Sequence, residues 1–196
     1  MKIAILGTSG SGKSTLAKQL GERYGAPVLH LDTVHFLPGW VERTPEEEEA
    51  ILSRFLDEHD SWVIDGNYSG NCYARRLEET DQIIVLWFGR FVCLRRVIKR
   101  WWENRGRVRE SSAAGCEEKI DLDFIRWVLY EGRSPKKYEK MKTLGKQYPE
   151  KFVMIENNRE LKSWLKYSRK ARKFVIDAQS CPTCQWLSLW ESCHRR

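Results

Sequence analysis

The sequence predicts an α/β fold, a five-stranded parallel sheet flanked by helices on both faces. Three observations predict it. Short apolar runs of strand length alternate with segments of helical period. A Gly-rich stretch, Gly7–Ser14, lies between the first strand and the first helix. Aspartates close two of the apolar runs, at the strand ends where such sheets bind ligands. A chain of 196 residues, 41% apolar and 31% charged, suits one such domain with a tail, and it can bury a core without disulfide or metal staples.

Lys2–Leu6 is a buried parallel strand by its apolar run. Ser14–Tyr24 is a helix, with Leu16 and Leu20 at helical spacing and Gly25 to close it. Val28–Leu31 is a second strand ending at Asp32, followed by the turn-rich Phe36–Trp40. Thr44-Pro45-Glu46-Glu47 carries a cap, a proline at the first helical position and a capping-box glutamate. Ile51, Phe55 and Leu56 are the expected apolar face of that helix, and Glu46–Glu49 its solvated end. Trp62–Gly66 and Gln82–Phe88 are the third and fourth strands. Phe91–Trp102 is a basic helix, Arg105–Gly115 a loop, and Glu117–Glu131 a helix facing the core with Ile120, Phe124, Trp127 and Val128. Phe152–Ile155 is the fifth strand and Arg159–Tyr167 the last helix. The expected division is a domain over 1–167, with its lid at about 100–117, and a basic Cys-containing tail over 168–196.

No secretory leader precedes the first strand, and no apolar run approaches the roughly 20 residues that span a bilayer. A cytoplasmic protein with reduced thiols is the expectation, with no membrane partner. The net charge of +7 concentrates at the C-terminus: Glu160–Arg196 holds eight Lys and Arg against three Asp and Glu, so the high pI describes the tail more than the body. Cys181, Cys184, Cys193 and His194 form a short cluster that could bind zinc or belong to a weakly ordered tail. Cys72, Cys93 and Cys116 read as packing residues.

Gly7-Thr8-Ser9-Gly10-Ser11-Gly12-Lys13-Ser14 matches the phosphate-binding loop GxxxxGK[ST] in full. Its glycines allow the backbone to wrap an anion, and its N–H groups and the helix N-terminus point at that anion. Lys13 then reaches the β- and γ-phosphates of a nucleoside triphosphate, ATP or a relative, and Ser14 ligates Mg²⁺. Thr15 is a weaker candidate on the next turn. Asp65, closing Trp-Val-Ile-Asp, is the expected carboxylate of the metal site, and Asp32 is placed to orient or deprotonate an acceptor. His35 and Trp40 are candidate acceptor contacts, while His30, inside a strand, reads as structural. Arg96 and Arg100 share one helix face near small residues suited to a moving lid, where arginines neutralise a transferring phosphoryl group. A basic segment of this kind is equally the mark of a DNA-binding surface.

GTSGSGKSTLAKQL, HLDTVHFLPGW and WVIDGNY together resemble the small bacterial P-loop kinases known as DNA topology modulation proteins, relatives of adenylate and shikimate kinases. The resemblance runs from Met1 to about Lys166. The first motif is shared by many NTPases; the other two are more particular to the group. The resemblance implies a P-loop NTPase fold with strand order 2-3-1-4-5 and ATP as phosphate donor. It also implies that Arg96 and Arg100 match the lid-entrance arginines of adenylate kinases, with Arg109 as a weaker match. Strand four departs from the group, ending in Leu86-Trp87-Phe88-Gly89-Arg90 without an acidic residue, so the metal site depends on Asp65. Two functions remain open at this level: an ATP-dependent kinase acting on a nucleotide-like or other small acceptor, and a nucleotide-switched regulator that binds DNA.

Overall fold

In the computed structural model, residues 1–68, 70, 72–105, 111–116 and 120–179 are described, with side chains as far as residue 168. The chain divides into two units, Met1–Asn157 and Asn158–Arg196. The first unit is built on β1 (Lys2–Gly7), β2 (Val28–His30), β5 (Trp62–Asp65), β6 (Gln82–Leu86) and β7 (Phe152–Ile155). These form one sheet in the order β2-β5-β1-β6-β7, with every pair parallel. The numbering departs from the expected 2-3-1-4-5 only because β3 (Phe36–Leu37) and β4 (Val41–Glu42) pair separately as an antiparallel hairpin. β1, β5 and β6 bury nearly every residue, as strands covered on both faces must.

Register places the chemistry. Ile5 on the central strand pairs with Asp65, and Asp65 pairs with His30 on its other side. Gly7 pairs with Leu86 where the chain leaves the sheet for the phosphate loop. α1 (Lys13–Tyr24) starts at that loop and ends at Gly25, whose left-handed φ of 61° suits glycine.

The second strand is shorter than its apolar run. Leu31 and Asp32 already belong to α2 (Leu31–His35), so Asp32 lies in a first helical turn instead of closing a strand. α3 (Pro45–Glu58) opens with the expected capping box between Thr44 and Glu47. Its buried face is turned one residue from the expected one: Leu52 and Leu56 are buried, while Ile51 is 38% exposed. Glu48, expected in the solvated end, is only 5% exposed because it has a partner inside, His35.

α4 (Tyr73–Glu79) and α7 (Pro135–Gln147) were not evident from apolar spacing, being short or polar; Ser134 caps the latter by accepting from Lys137 N. α5 (Arg90–Glu103) lies where a basic helix is expected. The helix expected over Glu117–Glu131 is the shorter α6 (Leu122–Leu129), because Asp121 caps it by accepting from Phe124 N at 2.7 Å, with 117–119 outside the described residues. Only Val128 of its expected core positions is fully buried. The second unit contains α8 (Asn158–Gln179), which continues past Tyr167. Cys181, Cys184, Cys193 and His194 lie outside the described residues.

Candidate active site

The loop between β1 and α1 depends on three left-handed glycines, Gly7 (φ 141°), Gly10 (73°) and Gly12 (98°). A Cβ on Gly10 would stand 2.5 Å from the Cys93 carbonyl oxygen of α5, so the loop lies directly against that helix. The loop is held from several sides. Asn67 donates to the Gly7 carbonyl and accepts from Gly7 N at 2.8 Å. Thr8 N donates to Leu86 O, and Ser11 N to Thr8 O. Ser11 Oγ is buried without a hydrogen-bond partner among the described residues, an orphan of the kind a bound group can satisfy. Ser9 is partly exposed on the loop, and Thr15 is exposed on the first turn of α1.

Lys13 Nζ donates to Thr8 O at 3.1 Å, which folds the side chain back over the loop. Burial pulls its ammonium below the usual lysine range, against the opposing charges of Asp65 and then Asp32. Both carboxylates therefore act at the loop. Ser14 Oγ donates to Asp65 Oδ2 at 2.9 Å. Hydroxyl and carboxylate oxygens side by side fit Mg²⁺, which takes few protein ligands and completes its shell with water and phosphate. The other Asp65 oxygen contacts His30 Nδ1. His30 thus borders the site, where its place inside a strand had suggested only a structural role.

Arg96 Nη1 donates to Ser11 O at 2.8 Å, and its guanidinium lies 4.4 Å from the Phe88 ring centroid. Arg100, one turn on, acts electrostatically on Lys13. A third arginine, Arg133, was not singled out from sequence. It follows α6 and donates to Thr8 Oγ1 and Cys93 Sγ, both at 2.8 Å, and to Phe88 O at 2.5 Å. Burial pulls its guanidinium below the usual range. Arg109 lies outside the described residues.

The hairpin of β3 and β4 directly follows α2, where Asp32 is exposed and accepts a hydrogen bond from Tyr68 OH at 2.9 Å. Burial, then the Asp32 charge, pushes the Tyr68 phenol far up, so it stays a donor. Arg76, only 2% exposed, holds the Tyr68 carbonyl at 2.6 Å, and burial lowers its pKa to about 10. His35 Nδ1 lies 2.6 Å from Glu48 Oε1, and its ring packs on Tyr68 and Phe36 with centroids 4.4 and 4.5 Å away. Trp40 meets the Phe36 ring edge-on at 5.1 Å. The segment 111–116 docks onto this hairpin: Cys116 Sγ donates to Leu37 O at 3.3 Å and accepts from Trp40 N at 3.4 Å, while Gly39 N donates to Gly115 O.

The family described as an AAA domain matches residues 3–117, from the first strand through the docked segment. The chain belongs to this AAA-domain family. No curated protein matches it. Among solved structures, a deoxyadenosine kinase from M. mycoides with bound dATP is 16% identical, with coverage of 86% of this chain and 100% of that one and a TM-score of 0.52. A shikimate kinase from Bacteroides thetaiotaomicron is 17% identical, covering 88% and 98%, with a TM-score of 0.48. A gluconokinase from Sinorhizobium meliloti 1021 is also 17% identical, covering 90% and 96%, with a TM-score of 0.44. The chain shares its fold with that deoxyadenosine kinase.

Of the expected site residues, the structure puts Lys13, Ser14 and Asp65 at the phosphate loop and sets Asp32 against Tyr68. Asn67, Tyr68 and Arg133, which contact the loop or these residues, were not singled out from sequence, and His30 was read as structural. Asn67 and Tyr68 sit inside the WVIDGNY motif, so their signal was present in the residues following the strand. Arg133 had no local signal.

The buried ammonium sets a pH dependence. In the free protein, Lys13 loses its proton at lower pH than an ordinary lysine, and a bound triphosphate favours the charged form again. Between those two values, binding takes up a proton, so nucleotide affinity falls as pH rises. The same sign rule makes the charged Lys13 a folding penalty that is relieved as pH rises through its lowered value. Calorimetric titration with ATP in EDTA should show affinity declining as pH rises between the free and the nucleotide-bound values of Lys13. Lys13→Arg, which keeps its proton, should flatten the decline.

Proposed function

We propose that this AAA-domain protein is a Mg²⁺-dependent phosphotransferase that moves the γ-phosphate of ATP to the hydroxyl of a small acceptor. The observation that carries the reading is a pair of carboxylates: Asp65 hydrogen-bonded to Ser14 at the phosphate loop, and Asp32 exposed and hydrogen-bonded by the Tyr68 hydroxyl. A nucleotide-binding module alone needs the first carboxylate; a hydroxyl acceptor needs the second.

In this reading, the loop amides and Lys13 hold the β- and γ-phosphates, and Ser14 and Asp65 hold Mg²⁺. When bound, Mg²⁺ supplies charge neutralisation between the phosphates. Asp32 receives the acceptor's hydroxyl proton as that oxygen bonds to the γ-phosphorus. The bond between the γ-phosphorus and the bridging oxygen breaks, and ADP leaves with the electron pair. Arg96 and Arg100 lie on the loop side to neutralise the transferring group. His35 and Trp40 line the acceptor side with Asp32, and docking of segment 111–116 on the hairpin helps exclude water.

The test is transfer of labelled γ-phosphate from Mg–ATP to nucleosides, nucleoside monophosphates, sugar acids and polyols. Label on an acceptor establishes the reaction. Label that stays on ATP or appears only as free phosphate sinks it and favours a nucleotide-switched regulator, whose DNA affinity would then be measured against salt.

A further inference from the structure

We infer that His30 is the positioning residue of the metal site: it holds one oxygen of Asp65 so that the other is presented to Ser14. The inference rests on the reading of Ser14 and Asp65 as the residues that hold Mg²⁺, and it concerns metal binding, not the transfer step.

Register makes the contact. His30 is the last residue of β2 and pairs with Asp65, the last residue of β5. Paired residues on neighbouring strands present their side chains to the same face of a sheet, so imidazole and carboxylate stand side by side. His30 Nδ1 meets Asp65 Oδ1, and Ser14 Oγ donates to Asp65 Oδ2 at 2.9 Å. A carboxylate only accepts, so Nδ1 carries the proton of this bond. Each oxygen of Asp65 therefore has its own donor, one at the end of a strand and one in the first turn of α1.

Both partners are enclosed: the Asp65 side chain is 5% exposed and that of His30 15%. A buried carboxylate with one oxygen unpaired carries a desolvation cost, and the broad χ2 well of an aspartate lets it rotate to relieve that cost. The imidazole removes this freedom. Its own backbone is pinned, because Thr33 Oγ1 donates to the His30 carbonyl at 2.7 Å and the chain turns directly into α2. Nδ1 is committed to Asp65, so through that nitrogen the ring serves a cation by way of the carboxylate and not as a ligand. Groups that hydrogen-bond a metal-binding carboxylate set its direction, and their loss commonly costs about 10- to 100-fold in metal affinity.

The experiment uses the full-length protein saturated with a non-hydrolysable ATP analogue, at one pH. Mn²⁺ stands in for Mg²⁺, and its binding is followed by loss of the free-ion electron paramagnetic resonance signal. Affinity for the analogue in EDTA is measured alongside. His30→Leu should weaken Mn²⁺ binding about tenfold or more and leave the metal-free affinity nearly unchanged. His30→Asn, whose amide N–H can replace the Nδ1 donor, should recover most of the loss. His30→Gln, whose amide lies one bond further out, should not. In an Asp65→Asn background, His30→Leu should cost little more than Asp65→Asn alone, because His30 acts through that carboxylate. Unchanged Mn²⁺ affinity in His30→Leu, equal losses with and without metal, or full additivity with Asp65→Asn would overturn the positioning role. If His30→Leu does not fold, the Asn and Gln variants carry the comparison, and equal Mn²⁺ affinity in those two overturns it as well. Unchanged Mn²⁺ affinity in Asp65→Asn is a different failure: it removes the metal reading itself, and the role of His30 falls with it.

Discussion

Lys13→Ala lowers the rate of γ-phosphate transfer on the order of 10³-fold and leaves the protein folded. The rate effect follows from removing a preorganised cation aimed at the phosphates, with losses of the size seen when a transition-state donor is deleted. The folding effect has the opposite sign to that of most buried deletions. Burial lowers the Lys13 ammonium, so its charge is a cost in the free protein, offset in part by Asp65 and Asp32. Its side-chain hydrogen bond is to Thr8 O, a carbonyl of the loop itself. The melting temperature of the variant should therefore hold or rise slightly, while ATP binding collapses. Thermal melts with and without Mg–ATP read both effects: wild type gains stability from ligand and the variant gains almost none. Preserved turnover would remove Lys13 from the mechanism, and a fall of many degrees without ligand would make it a structural residue.

Asp32→Asn should lower kcat about 10²- to 10⁴-fold, the range of a lost general base, with ATP affinity nearly unchanged. The substitution keeps an acceptor oxygen for Tyr68 OH and preserves shape at an exposed position in α2. It removes the ability to take a proton. Asp65→Asn is the contrasting variant, because Asp65 meets both Ser14 and His30; it should weaken binding of Mg–ATP itself. Single-turnover rates beside binding titrations separate the two carboxylates. Equal loss of ATP affinity in both variants would make Asp32 part of the donor site.

The contrast between these carboxylates also shows what the sequence disclosed. Asp65 closes a run of apolar residues and lies in the sheet as expected, since strand periodicity is local. Asp32 was legible as a residue near the same edge, but its helical setting was not, because a five-residue helix carries too little periodicity to register. Glu48 was misplaced for a related reason. A glutamate in an acidic helix start reads as solvated unless its partner is known, and His35 lies thirteen positions away. Arg133 is the extreme case: its Thr8 contact spans 125 positions, and no local pattern encodes it. The phosphate loop and the parallel sheet, encoded by contiguous motifs and apolar runs, were the legible part. The contacts that join His35 to Glu48 and Tyr68, and Trp40 to Cys116, built by packing between distant segments, were not.

The two loop-binding arginines have a mechanical consequence. Arg96 precedes the segment between α5 and α6, Arg133 follows α6, and each is bonded to the same short phosphate loop, one at Ser11 and the other at Thr8. A shift of that loop by a fraction of an ångström would therefore reach α5 and the turn after α6 at once, through one hydrogen bond each.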